Sequence, residues 1–490
     1  LSQTNSQFLR GLLTLTLSRY FVRGLSLVKG LVVARVLGPN LYGVMGLLAV
    51  FLGYSAYADL GIFGGLTKEV PVHLARKEES KAREAEGAGF TAVTAFTLVF
   101  ALVVLVALWG RTPDMTRALP ALAFAMAAQQ GFKYCTVLLR SRSLFSETAL
   151  AWSVLQILDM GLELALVFPL HLTGVFLGQG LAFLIASIFV VTRYHLIPRI
   201  HVNIRLSGSL VAAGIPLVVS TLTFLLLQTV DRFLIAGYLD TTALGHYMIG
   251  VFCANLIYFI PQSLGYVLFP NFRERLATLA DGERPPVRYI ELPTRMLSYV
   301  LPPFTAAVFL GIPVIGLLLP AYVPGLGSAR ILVMGTFFLS LVTSITSFLI
   351  AADRHRQLML VQAGAVILDL VLNILALKTG RGIEGVAMAT AVSYLFYGSA
   401  SLWLAYRYLR FPNFRVPPRL SRLYVPFLYV LVAALLVATW SPLGKGSVLL
   451  TVILREALFL VALLPGIWFL QRTTGAVGEV AEMIRKAVKA

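Results

Sequence analysis

Four basic residues, Arg19, Arg23, Lys29 and Arg35, interrupt an apolar stretch from about Leu12 to Leu37, and no acid precedes Asp59. A charge at the centre of a membrane helix costs roughly 2.5–3.5 kcal/mol on insertion scales. Several on one helix, with no local counter-ion, require a compensating environment, and a water-filled cavity that receives an anion supplies one. Arg19 and Arg23 stand four apart, so they fall about 40° from each other around a helix and share a face. Paired guanidinium forks of this kind suit a diphosphate. Lys29 and, in a later apolar stretch, Lys133 could join them. The competing reading for Arg19 and Lys133 is snorkelling toward headgroups. Arg35, near the other end of the stretch, reads as interfacial or structural.

The acids within apolar stretches suggest a second chemistry. Asp159 and Glu163 are four apart, and Asp369 and Asn373 repeat that spacing later in the chain. Carboxylates in a poorly solvated place hold protons more readily, so Asp159, Glu163 and Asp369 are candidates for ion or proton coupling. The alternative is an interhelical pair with a basic residue such as Lys133, or a hydrogen-bonded packing group. Asp231-Arg232 reads as a gate or a structural ion pair. Arg455-Glu456 reads as packing. The two cysteines, Cys135 and Cys253, lie in apolar segments without metal-ligand spacing and read as buried hydrophobes. No phosphate-binding glycine loop, metal motif or paired-aspartate sugar-nucleotide motif occurs in the sequence. The expectation is therefore a chain that is not an enzyme and needs no cofactor or metal.

The elements that position these residues follow from composition. The chain is 58% hydrophobic and only 13% charged over 490 residues, against about 25% charged in soluble domains. Apolar runs of helix-crossing length recur from end to end, without the short alternation of a membrane barrel. The predicted fold is an all-α polytopic membrane protein with about fourteen spans, near 12–37, 41–63, 88–109, 118–139, 147–168, 172–192, 208–236, 243–270, 292–319, 328–352, 358–377, 383–406, 424–441 and 447–470. With the N-terminus inside, the inner segments hold 26 Lys/Arg and the outer loops five. That bias predicts a multi-pass protein of the cytoplasmic membrane with both termini in the cytoplasm. It also accounts for most of the +18 net charge through anionic headgroups, without nucleic acid. Outer loops are too short for an extracytoplasmic catalytic domain. The tail from Ala476 to Ala490 reads as an amphipathic helix on the inner leaflet.

A repeat supports the layout. Ala34, Leu37 and Gly43 match Ala236, Leu239 and Gly245 at an offset of 202, and Ile157-Leu158-Asp159 matches Ile367-Leu368-Asp369 at 210. Gly174-Val175 then matches Gly385-Val386. Six spans per repeat give both halves the same orientation, so the predicted axis is a pseudo-two-fold along the membrane normal. The predicted lobes are 1–205 and 206–410. Two extra spans and the tail occupy 411–490.

Several motifs in order carry a family resemblance. Ala34-Arg35-Val36-Leu37-Gly38-Pro39 with Tyr42-Gly43 resembles the first-helix exit of the polysaccharide and oligosaccharide flippases. Asp59-Leu60-Gly61-Ile62 with Leu66-Thr67-Lys68-Glu69-Val70-Pro71 resembles their second-helix end. Gly214-Ile215-Pro216, Asp231-Arg232 and Gly245-His246-Tyr247 are similar to the seventh-helix region, and Gly382-Ile383-Glu384-Gly385-Val386-Ala387 to the start of the twelfth. The family belongs to the multidrug/oligosaccharidyl-lipid/polysaccharide exporter superfamily. The resemblance implies alternating-access transfer of an undecaprenyl-diphosphate-linked oligosaccharide from inner to outer leaflet, for surface polysaccharide synthesis. Its implied partners are that lipid-linked substrate, membrane lipids, and polymerase or assembly proteins. The lipid II flippase of the superfamily also uses cations on spans two and eight. Here span two has none and span eight has none before Arg273, which favours an oligosaccharide. The alternatives are a multidrug exporter, whose cavity should be acidic, and a lipid II flippase.

Overall fold

A computed structural model of the chain describes residues 2–196, 200–278, 285, 287–409, 416–440 and 447–474; side chains are described from 26 to 465, apart from 217, 263, 264, 266, 267, 270, 271, 288, 289 and 416–420. Nearly all described residues are helical, and no strand occurs among them. The helices are α1 (Ser2–Ser55), α2 (Ile62–Ala75), α3 (Glu79–Leu108), α4 (Pro113–Ser141), α5 (Phe145–Tyr194), α6 (Ile204–Leu227), α7 (Val230–Tyr238) and α8 (Thr241–Ala277). Then follow α9 (Arg288–Leu318), α10 (Leu326–Leu341), α11 (Thr343–Ala351), α12 (His355–Lys378), α13 (Gly382–Tyr408), α14 (Val416–Thr439) and α15 (Val448–Thr474). Among the described residues nine helices are long and apolar enough to cross a membrane. The number is ten if Ile204–Pro216 and Val218–Leu227, bent by 46°, form one span.

Two of the longest helices are each a pair of segments. In α1 the break falls at Gly38, with φ 67° and ψ 171°, directly before Pro39. Proline excludes the helical conformation from the residue before it, and glycine accepts the left-handed region at no steric cost. In α5 the break falls at His171, with φ 47° and ψ −123°, two residues after Pro169. Both breaks coincide with the gaps read from sequence at 38–40 and 169–171. The starts of α4, α6 and α8 carry side-chain caps that satisfy orphan N–H groups. The Thr112 hydroxyl accepts from the Met115 N–H at 3.2 Å, and the Asp240 carboxylate from the Ala243 N–H at 2.6 Å.

Contacts group the chain into two compact units, residues 24–236 and residues 237–490 with 1–23. In the first, Ile62, Leu66, Phe132, Leu139, Ala182, Ala186 and Leu210 form a buried core drawn from α2, α4, α5 and α6. The turn into α2 meets α6 backbone to backbone: a Cβ on Gly61 would stand 2.5 Å from the Gly214 carbonyl carbon. In the second unit α10 packs against α8, α9 and α13. There Phe337 of α10 stacks on Phe427 of α14 with centroids 4.2 Å apart. Along α3, Leu98, Val99, Leu102, Val103 and Val106 are all exposed. Such an apolar stripe suits hydrocarbon rather than water.

Candidate functional site

The side chains of Arg19 and Arg23 lie outside the described residues, as does the tail 476–490. The site that is described centres on Lys29, in the first segment of α1. Its ammonium donates to Asp159 Oδ2 at 2.7 Å and to Glu163 Oε2 at 2.6 Å. The basic partner of the two acids is thus Lys29, 130 and 134 residues away, rather than Lys133.

Local structure explains the convergence. Asp159 and Glu163 are neighbours on one face of the first segment of α5 because four residues make slightly more than one turn. The chain then folds back at His171, so the second segment of α5 lies along the first. Gly178 permits this approach, since a Cβ there would stand 2.8 Å from the Glu163 backbone. The next residue, Gln179, donates through Nε2 to Glu163 Oε2 at 3.2 Å. Its other amide atom, Oε1, is buried with no hydrogen-bond partner among the described residues. Small residues four apart, here Gly174 and Gly178, are the sequence sign of close helix packing; Gly178 and Gln179 were not singled out from sequence.

The charge balance of the cluster is one cation to two anions. Glu163 is nearly sealed, with a side chain 5% exposed, whereas Asp159 is 30% exposed and Lys29 15%. Two carboxylates close to one ammonium leave a surplus negative charge where solvent can compensate it only partly. The arrangement can take up a proton on a carboxylate or exchange the ammonium between the carboxylates and another anion.

Lys133 serves a different contact. Its ammonium donates to the Ala56 carbonyl, stands 3.9 Å from Asp59 Oδ1 and lies over the Tyr57 and Phe63 rings at 5.4 and 5.2 Å. Asp59 in turn accepts the Gly61 and Phe63 N–H groups, each at 3.2 Å, and so caps α2. The neighbouring Gln130 donates to the Ser55 carbonyl. Lys133 and Gln130 therefore fasten α4 to the turn between α1 and α2. Arg35 is exposed.

Asp231 is buried, and its Oδ1 accepts the Arg232 N–H at 2.7 Å. Arg232 Nε is buried without a hydrogen-bond partner among the described residues. Just before it, Thr229 and Tyr54 share a hydroxyl hydrogen bond of 3.0 Å. In the second unit Asp369 and Asn373 of α12 are both fully buried. No group of three or more His, Cys, Asp or Glu placed to hold a metal ion occurs among the described residues.

Outside the membrane-spanning segments, His73 Nδ1 meets Glu78 Oε2 at 2.9 Å and Lys81 Nζ donates to Glu78 Oε1 at 3.0 Å. These hydrogen bonds, that of His73 foremost, hold the Glu78 carboxyl below its ordinary range.

The family described as "Polysaccharide biosynthesis protein" matches residues 8–275, more than half of the chain. No curated protein matches significantly. Among solved structures, the fold is similar to "Lipid II flippase MurJ, inward closed conformation", with TM-score 0.74 and 12% identity, covering 94% of this chain and 99% of that one. It is also similar to an inward-facing multidrug resistance MATE family transporter of the MOP superfamily. There the TM-score is 0.64 at 12% identity, over 79% of this chain and 94% of that one. At these identities the likeness is one of fold.

Proposed function

The chain belongs to the polysaccharide biosynthesis protein family, and we propose that it is a secondary flippase carrying an undecaprenyl-diphosphate-linked oligosaccharide from the inner to the outer leaflet of the cytoplasmic membrane. The observation that carries this reading is the cationic first helix, in which the Lys29 ammonium is shared by two carboxylates. Arg19 and Arg23 clamp the diphosphate. The sugars occupy an aqueous cavity and the polyprenyl tail stays in lipid. Lys29 is released toward the diphosphate when Asp159 or Glu163 takes up a proton, so substrate binding and proton binding favour each other. Lys133, held at the α1–α2 turn, contributes positive potential rather than direct contact. Asp369 is a second coupling group, and Asp231-Arg232 belongs to a gate. The fourteen-span layout, the six-helix repeats and the cytoplasmic termini complete the reading. The chain is then a transporter rather than an enzyme, and its partners are its lipid-linked substrate, membrane lipids and polysaccharide assembly proteins.

The test is translocation of a labelled undecaprenyl-diphosphate oligosaccharide in proteoliposomes, wild type beside Arg23→Ala. Transport by wild type, lost in a folded Arg23→Ala, is expected. Transport that survives Arg23→Ala removes the clamp from this helix. If lipid II alone crosses, the substrate is the lipid II flippase's. If organic cations are exported instead, the multidrug reading replaces this one.

A further inference from the structure

At the opposite end of α3 from its apolar stripe, a cavity of about 160 Å³ is lined by Arg83, Glu86, Tyr134, Arg142 and His195, with Gly87, Leu138 and Leu196. At about 30 Å³ per water molecule, this space holds roughly five waters, enough for one tetrahedral oxyanion with part of its hydration. The walls come from three elements of the first compact unit: the start of α3, the end of α4 and the residues that close α5. None of the lining residues belongs to the Lys29 cluster.

The polar groups are arranged to present donors. Arg142 Nη2 reaches both oxygens of Glu86, at 2.9 and 3.0 Å. That contact neutralises the only acid in the wall through one nitrogen. Arg142 Nε and Nη1 keep no hydrogen-bond partner among the described residues. The Tyr134 hydroxyl donates to the Glu86 carbonyl at 3.0 Å, which fixes the α3–α4 spacing behind the pair. Among the described residues Arg83 has a single hydrogen-bond partner, the exposed Glu79 at 3.4 Å. His195 ends α5 in the left-handed region, at φ 51°, and its ring makes no hydrogen bond among the described residues. Two guanidinium groups and an imidazole thus line one concave space, whose one lining carboxylate, Glu86, is paired with Arg142, while the exposed Glu79 reaches Arg83 from outside it. Guanidinium edges match phosphate oxygens in pairs.

We propose that this cavity binds a phosphate group, as a site separate from the transport path. The recognised chemistry is the tetrahedral oxyanion, whether carried by a phospholipid headgroup at the membrane rim or free in solution.

Binding to the purified full chain in detergent is measured by isothermal titration with inorganic phosphate and, separately, with dihexanoyl phosphatidylglycerol below its micellar concentration. The variants are Arg83→Gln, His195→Gln and the double variant Glu86→Gln/Arg142→Gln, which leaves no buried carboxylate unpaired. Saturable binding, weakened at least tenfold in the double variant and severalfold in Arg83→Gln, is expected. Response to phosphatidylglycerol alone makes the ligand a lipid, and response to phosphate alone makes it soluble. Absence of saturable binding to both, or binding unchanged in folded Arg83→Gln and Glu86→Gln/Arg142→Gln, overturns the proposal.

Discussion

Helices α5 and α12 carry the same local sequence and end in different electrostatic situations. In α5, Ile157-Leu158-Asp159 is followed four residues later by Glu163; in α12, Ile367-Leu368-Asp369 is followed by Asn373. The first pair meets the Lys29 ammonium at 2.7 and 2.6 Å and keeps partial access to solvent through Asp159. The second pair is fully buried, with an amide where the first has a carboxylate. At the offset of 202 that aligns the exits of spans one and seven, the residue matching Lys29 is Asp231. At these matched positions one stretch of the sequence thus has a cation and the other an acid. A second carboxylate is tolerated where an ammonium and some water face it. Where the site is sealed, a neutral amide, Asn373, stands at the position of the second carboxylate. This is what the desolvation cost of a buried charge requires.

The comparison breaks most sharply at Lys29. Replacing it as Lys29→Met leaves two carboxylates without their cation, and removing one partner of a buried pair costs about 3–5 kcal/mol. A large fall in the melting temperature of the detergent-purified protein is expected. Adding Glu163→Gln should restore part of it. If Lys29→Met melts with the wild type, the ammonium is not what holds the carboxylates. A smaller effect is expected at the other helix. Asn373→Asp gives α12 the charge pattern of α5 in a site with no solvent access, and should cost about 3 kcal/mol at neutral pH and less at acid pH. A neutral outcome would mean that a cation reaches α12 as well, and the contrast between the helices would fall.

The smallest effect belongs to a solvated carboxylate, as the reference for both. Glu78, between α2 and α3, has its carboxyl held below the ordinary value of 4.5, first by the His73 hydrogen bond and then by Lys81. The folded value lies below the unfolded one, so its stabilisation is present above about pH 4.5 and lost as pH falls through the folded value. Wild type and Glu78→Gln should differ slightly in unfolding near neutral pH and converge in acid. Divergence that grows toward acid pH would reverse the sign and contradict the hydrogen-bonding cause.

Much of the architecture was legible in the chain because membrane helices announce themselves locally. The gaps between predicted spans at 38–40 and 169–171 marked the breaks of α1 and α5, and at the first the cause is local, since proline restricts the residue before it. The face shared by Asp159 and Glu163 followed from helical spacing alone. Their partner did not. Lys29 and Lys133 are both single cations in apolar stretches, and no local pattern says which one reaches the α5 acids. Gly178 was one glycine among many until the fold placed it against the Glu163 backbone. The cavity was equally hidden, because Arg83 and Arg142 come from different helices and no local pattern joins them.

By itself, then, the sequence determined a polytopic helical membrane protein, its principal breaks, and an apolar first helix with four cations. These follow from composition and from interactions spanning a few residues. Only the tertiary structure decided that Lys29 belongs to Asp159 and Glu163, that Lys133 belongs to the turn at Asp59, and that Glu86 is neutralised by Arg142. Each pairing depends on helices far apart in sequence being packed at a fixed register, and a charge chooses its partner by distance in space.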